Sequence, residues 1–171
     1  MDILVVVDMQ NDFIDGALGS VEAPKIVDGI NSLVAGFDGK VIFTRDTHTE
    51  SYMDTQEGHK LPVPHCIKDT HGWMITDKIA IPADAEIIDK PTFGSVELSA
   101  MLVKLNEREP ISSVELVGLC TDICVISNAM LIKAALPEIA VRVRGDLCRG
   151  VTPASHDTAL AAMRACQIEI I

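Results

Sequence analysis

Basic residues are in short supply in this sequence: 14 Lys and Arg against 25 Asp and Glu leave a formal charge of −11 over 171 residues, with a pI near 4.7. That balance excludes a broad phosphate-binding surface, and with it a general nucleic-acid binder. Long apolar runs are missing as well. The longest stretch free of charged residues is Ile123 to Ile132, about half of what a bilayer-spanning helix requires, so no membrane partner is expected. The N-terminal residues lack a basic segment followed by a small-residue cleavage site, which makes the cytoplasm the expected compartment. No C-x-x-C pair occurs. Five cysteines (Cys66, Cys120, Cys124, Cys148 and Cys166) are an odd number, and outside a secreted context they read as reduced thiols, not as a disulfide framework. Aromatics are also scarce, with one Trp, one Tyr and four Phe.

What remains is ordinary globular material, 48% hydrophobic and 23% charged, of a length that suits one domain over residues 1–171. Continuous aliphatic runs at Ile3–Val7, Lys40–Thr44, Glu86–Asp89, Val114–Gly118, Ile139–Val143 and Ile168–Ile171 have the pattern of strands covered on both faces. Helical patterns lie between most of them, at Pro24–Phe37, Val96–Glu107, Asp122–Leu136 and Pro153–Cys166. Alternating strand and helix predicts an α/β fold, a six-stranded, mainly parallel sheet wrapped by helices. Ligands of such sheets bind beyond the carboxyl ends of the strands, so chemistry is sought there. One long irregular segment, Arg45 to Trp73, has the length of a functional loop.

Three strand ends carry reactive side chains. The first strand runs into Val7-Asp8-Met9, placing a carboxylate at the crevice, although an Asp at such a position also caps turns. The fourth leads into Gly118-Leu119-Cys120-Thr121-Asp122-Ile123-Cys124, with Cys124 in a first helical turn. There the helix dipole and free N–H groups favour thiolate and could also receive an oxyanion; burial as a small hydrophobe is the alternative. The third ends at Asp89-Lys90-Pro91 and delivers an ammonium to the same edge. Each residue alone has a bland explanation. Their convergence at three different strand ends is what points to nucleophilic catalysis.

Four histidines, His48, His59, His65 and His71, crowd one loop together with Asp46, Asp54 and Glu57. Mixed imidazole and carboxylate donors suit zinc, iron or manganese. Phe13, Tyr52, Trp73 and Phe93 fall in loops near the expected crevice, where they either line a pocket for a planar ligand or fill the core.

With these residues in view the chain resembles the isochorismatase-like cysteine hydrolases, and among them the nicotinamidases. The resemblance covers essentially the whole chain. Its carriers are V-V-D-M-Q-N-D-F at Val6–Phe13, T-R-D-T-H at Thr44–His48, P-H-C-I at Pro64–Ile67, D-K-P at Asp89–Pro91 and G-L-C-T-D-I-C-V at Gly118–Val125. It implies a three-layer αβα sandwich with a catalytic triad of Asp8, Lys90 and Cys124. It also implies a cis peptide at Leu119–Cys120, an oxyanion hole built from the N–H groups of Cys120 and Cys124, and substrate contacts at Phe13, Leu119 and Cys120. A divalent metal, with zinc as the first expectation, would be held by Asp46, His48 and His65, with Glu57 favoured over Asp54 as the fourth ligand.

The implied reaction is hydrolysis of a small carboxamide, nicotinamide first, through a thioester. A metal-free isochorismatase-like, carbamoyl or ureido amide hydrolase is the alternative within the fold, and a non-catalytic binding protein the alternative outside enzymes. A homo-oligomer acting on a small molecule is expected, since assembly is common among relatives. One departure stands out. Many nicotinamidases carry a Trp three residues before the metal-binding histidine, stacked on the substrate ring with the phenylalanine matching Phe13. Here Pro62 occupies that position, preceded by Leu61, so the stack needs a substitute from Tyr52, Trp73 or Phe93.

Overall fold

A computed structural model describes all of residues 1–171, and every aliphatic run of the sequence becomes a strand of one sheet. The strands are β1 (Asp2–Val7), β2 (Lys40–Asp46), β3 (Glu86–Lys90), β4 (Ser113–Leu119), β5 (Ala140–Arg149) and β6 (Glu169–Ile170). The helices are α1 (Asn11–Ile14), α2 (Val27–Gly36), α3 (Gln56–Lys60), α4 (Val96–Arg108), α5 (Ile126–Ala135) and α6 (Pro153–Ala165). Strand order is β3-β2-β1-β4-β5-β6, and every pairing is parallel. Because order reverses at the β1–β4 boundary, the crevice lies beyond the ends of these two strands.

Strand β1 shows why its run has no polar alternation. Ile3, Val5 and Val7 project into one buried cluster while Leu4 and Val6 project into the other, so both faces must be apolar. The first cluster is closed by Leu98 and Leu102 of α4, Ala129 and Ile132 of α5, and Leu160 and Met163 of α6. The second is closed by Ile30 and Val34 of α2 and Phe13 of α1, together with Cys66 and Trp73 from loops. Three layers result. No helix is long and apolar enough to cross a membrane.

The structure departs from the sequence expectation in four places. The pattern at Pro24–Phe37 begins as a 3-10 turn, Ala23–Ile26, because Pro24 supplies no N–H, and becomes regular helix only from Val27. The helix expected from Asp122 opens with a π-type turn, Thr121–Val125, in which the Ile123 and Val125 N–H groups both donate to Cys120 O, at 3.1 and 3.0 Å. Strand β5 continues past Val143 to Arg149 through a register shift against β4 that the polar residues Arg144, Gly145 and Asp146 disguise. The stretch from Arg45 to Trp73 is not structureless: it holds a 3-10 turn at Tyr52–Asp54, helix α3 capped by Thr55, and a bridge between His48 and Ile67.

Gly118 fixes the close approach of β4 to β1. Its φ is +118° and a Cβ there would lie 2.1 Å from Val7 O, so no other residue fits.

Candidate active site

Asp8 follows β1 with a φ of 49°, a left-handed conformation that Asp tolerates, and is fully buried. Thr44 Oγ1 donates to its Oδ1 at 2.7 Å. Lys90, the last residue of β3, brings Nζ to 2.7 Å from Asp8 Oδ2. The same ammonium donates to Thr92 O at 3.1 Å, to Asp46 Oδ1 at 3.3 Å and to Cys124 Sγ at 3.5 Å. The acid, amine and thiol expected at three strand ends are therefore in mutual contact.

Burial governs their protonation. It lifts the Asp8 carboxyl above its ordinary value, against the opposing charge of Lys90. It also raises the Cys124 thiol well above the ordinary range, with the negative charge of Asp8 adding to the effect and Lys90 opposing it. Desolvation and the Asp8 charge thus oppose the thiolate that the helix start is expected to favour. Lys90 moves the other way: burial would lower its pKa, but Asp8, Cys124 and Asp46 together hold it firmly protonated.

The Leu119–Cys120 peptide is cis. The Cys120 N–H that follows it donates to no acceptor within the chain. Its own thiol is pushed up to about 12 by burial, then by the charges of Asp122 and Asp8.

Next to this group, Asp46, His48, Glu57 and His65 place one donor atom each within 4.8 Å of one another. Asp46 Oδ2 lies 2.9 Å from His48 Nε2 and 3.5 Å from His65 Nε2, while Glu57 Oε1 lies 3.7 Å from each imidazole nitrogen. A tetrahedral ion with ligands at about 2.0–2.1 Å requires donor separations of roughly 3.3 Å, so the set fits a small divalent cation. His65 Nδ1 is 2.8 Å from the Val63 carbonyl, which can only accept, so the ring donates there and turns Nε2 toward Asp46 and Glu57. Burial opposes ionisation of Asp46, but hydrogen bonds from His48 and His65 and the Lys90 charge hold its carboxyl far below the carboxylate range. Burial, followed by Asp46, raises Glu57.

The remaining histidines stay outside. His59 is exposed, and His71 lies at the surface, where its Nδ1 is 3.1 Å from Asn11 Nδ2. Asp54, the other proposed fourth ligand, is an exposed turn residue, whereas Glu57 is in the cluster.

Asp46, Glu57 and His65 share one small cavity of about 40 Å³ with Cys120 and Cys124, walled by Phe13, Leu18, Leu61, Phe93 and Ile123. Of the aromatics expected there, Phe13 and Phe93 face it. Tyr52 does not: it is buried against both imidazoles, with centroids 4.8 and 5.0 Å away, and donates to Leu61 O at 2.8 Å. Trp73 does not either, because it packs under the Arg45 guanidinium at 3.7 Å and donates to Thr47 Oγ1. Leu119 lies one step out, on an adjoining groove that also reaches Phe13 and Cys120.

Sequence reasoning missed four supporting residues. Gln10 clamps Asp46 by accepting its N–H at 2.7 Å and donating to its carbonyl at 2.8 Å. Thr44 orients Asp8 as described. Asp12 Oδ2 accepts the Cys66 N–H at 2.7 Å and so fixes the loop carrying His65. Asn128, one helical turn beyond the nucleophile, donates to Cys124 O at 2.8 Å and to Phe93 O at 3.2 Å, tying the thiol loop to the segment after Lys90. The available signal was polarity at the ends of apolar runs; what each residue bonds to was not readable.

Known proteins resemble this arrangement throughout its length. The family model described as the isochorismatase domain matches residues 2–171. The nicotinamidase/pyrazinamidase of Mycobacterium tuberculosis is 25% identical over 186 residues, covering 100% of this chain and 98% of that protein. Among solved structures, the pyrazinamidase of Pyrococcus horikoshii in complex with zinc is 28% identical with a TM-score of 0.85, covering 99% of this chain and 98% of that one. The N-carbamoylsarcosine amidase of Thermoplasma acidophilum is 25% identical with a TM-score of 0.80, covering 99% and 94%. A thiol, a carboxylate and an ammonium gathered at the β1–β4 switch point, in a chain matched from end to end, mean that this protein belongs to the isochorismatase family and is a nicotinamidase-like member of it.

Proposed function

We propose that this isochorismatase-family hydrolase is a metal-dependent cysteine amidase that converts a small carboxamide, nicotinamide in the first place, to the acid and ammonia. One observation carries the reading: Lys90 Nζ touches Asp8, Cys124 and Asp46, so the acid and the thiol adjoin the four-donor cluster, and Cys124, Asp46, Glu57 and His65 line one cavity. The reading places the protein in the cytoplasm as a homo-oligomer acting on a free small molecule.

In the proposed mechanism Asp8 Oδ2 takes the Cys124 proton as Sγ attacks the carboxamide carbon, so no free thiolate has to persist in the buried site. The electron pair of the C=O bond moves to oxygen, and the Cys120 and Cys124 N–H groups receive the oxyanion, a contribution of about 3 kcal/mol per donor in comparable sites. The C–N bond then breaks and ammonia departs with the proton from Asp8, leaving a thioester. Water gives a proton to Asp8 as its oxygen attacks the thioester carbon, and Sγ leaves and recovers that proton. Lys90 keeps Asp8 ionised against burial, and Phe13 holds the ring. Asp46, His48, Glu57 and His65 would hold a divalent ion, which when bound supplies a Lewis-acid contact for the nitrogen of a heteroaromatic ring. The donor spacing supports that fit.

Purified protein supplied with zinc, manganese or iron is expected to release ammonia from nicotinamide; no release with any of them overturns the reading. Leu61 and Pro62 in place of an aromatic, with the likeness to a carbamoyl amidase, favour a second reading as a metal-free carbamoyl or ureido amide hydrolase. Elemental analysis separates the two, since an active enzyme without bound metal supports the second.

A further inference from the structure

The cavity above Cys124 does not end at the catalytic residues. It shares Phe13, Leu18, Leu61, Cys120 and Ile123 with a second, outer groove of about 300 Å³. Beyond the shared residues the groove is lined by Gly19, Ser20, Ala23, Leu119, Gly150 and Val151, with no Asp, Glu, Lys, Arg or His among them. Its one hydroxyl is engaged, because Ser20 Oγ accepts the Ala23 N–H at 3.0 Å. All the hydrogen-bonding and charged groups that could hold a polar ligand are in the inner chamber. The groove therefore offers a ligand desolvation of carbon and little else, and water in it is easily displaced by an apolar group. Leu61, which forms part of the wall common to both spaces, is a flexible aliphatic that leaves the passage between them apolar.

We propose that the groove is a subsite for the acyl half of the substrate. The enzyme takes aromatic or heteroaromatic carboxamides bearing a short alkyl substituent, and the substituent passes Cys120 and lies against Leu18, Leu119 and Val151. This rests on the amide-hydrolase reading and adds to it the chemical class of the substrate. The carboxamide carbon stays at Cys124 Sγ, the ring stays on Phe13, and the alkyl group leaves the inner chamber on the side away from Asp46 and His65. Each buried methylene is expected to raise kcat/KM about fourfold, so a fully buried propyl group has a ceiling near 60-fold and a partly buried one reaches at least tenfold.

The experiment measures ammonia release by the metal-supplied enzyme from nicotinamide and from nicotinamides carrying n-propyl at each free ring carbon in turn. It is repeated with Val151→Trp, which fills the groove, and Val151→Asp, which places a charge on its wall. Val151 is 60% exposed and outside the catalytic machinery, so both variants should fold and should cleave nicotinamide as the parent enzyme does. The expected result is at least one propyl isomer cleaved tenfold or more better than nicotinamide, with the advantage lost in both variants. Propyl isomers all cleaved no better than nicotinamide, or an advantage that survives both substitutions, would overturn the subsite while leaving the amidase reading intact. No release from any of these amides overturns both.

Discussion

Replacing Lys90 with methionine keeps nearly the same side-chain length and apolar volume and removes only the charge. In the folded protein that charge stands 2.7 Å from Asp8 and 3.3 Å from Asp46, with all three side chains essentially inaccessible to water. At an effective dielectric near 20 the two attractions amount to about 6 and about 5 kcal/mol before the desolvation of the ammonium is subtracted. Breaking a buried pair by removing one member leaves a net cost of about 3–5 kcal/mol. For a chain of this length that corresponds to a Tm lower by roughly 6–20 °C. The loss should depend on pH in a defined direction. Burial already raises the Asp8 carboxyl above its usual value, and loss of Lys90 raises it further. A folded-state pKa above the unfolded one means no penalty at pH below the unfolded value, a penalty growing as pH rises from there, and a plateau above the folded value. Parent and variant share that penalty up to the raised Asp8 pKa of the parent, so the Tm gap between them is expected to widen only once pH passes that value, above the ordinary carboxylate range. Activity should fall by about 10²–10⁴-fold at neutral pH, because a protonated Asp8 cannot act as a base. Thermal melts from pH 4 to 8, with ammonia release at each pH, supply both readouts. A variant that melts within about 2 °C of the parent at pH 7 and keeps a third of its activity would refute the account.

Cys124→Ala should abolish turnover while leaving the melting temperature nearly unchanged, because it removes only a sulfur from a packed site; surviving ammonia release would exclude the thioester route. The parent kcat/KM is expected to fall at acid pH as Asp8 takes up a proton, with a midpoint above the ordinary carboxylate range that a pH–rate profile measures directly. Chelation of the metal should lower the melting temperature as well as the rate, since an ion that binds only the folded chain stabilises it by mass action, and His48→Ala should make the protein insensitive to chelator. Gly118→Ala should cost about 3 kcal/mol or more in chemical denaturation, because the backbone is left-handed there and the added methyl meets Val7 O.

Much of this protein was written in one dimension. Unbroken β-branched runs such as Ile3–Val7 cannot alternate polar and apolar faces, so they require a sheet buried on both sides. The intervening helices then demand parallel crossovers, which send every strand end to one edge. That logic brought Asp8, Lys90 and Cys124 together without coordinates, and the crowding of histidine with carboxylate marked the Arg45–Trp73 segment. Tertiary structure decided what depends on distance and solvent exclusion. It selected Glu57 and left Asp54, His59 and His71 outside, because donor atoms must converge to within one coordination sphere and a list of polar residues has no positions. It buried Cys124 beside Asp8, so that desolvation and a neighbouring negative charge both push its thiol up, which the strand-to-helix pattern alone does not reveal. It also turned Tyr52 and Trp73 away from the cavity, because a large aromatic ring goes wherever the most apolar surface can be covered, and that is fixed only after the loop has folded.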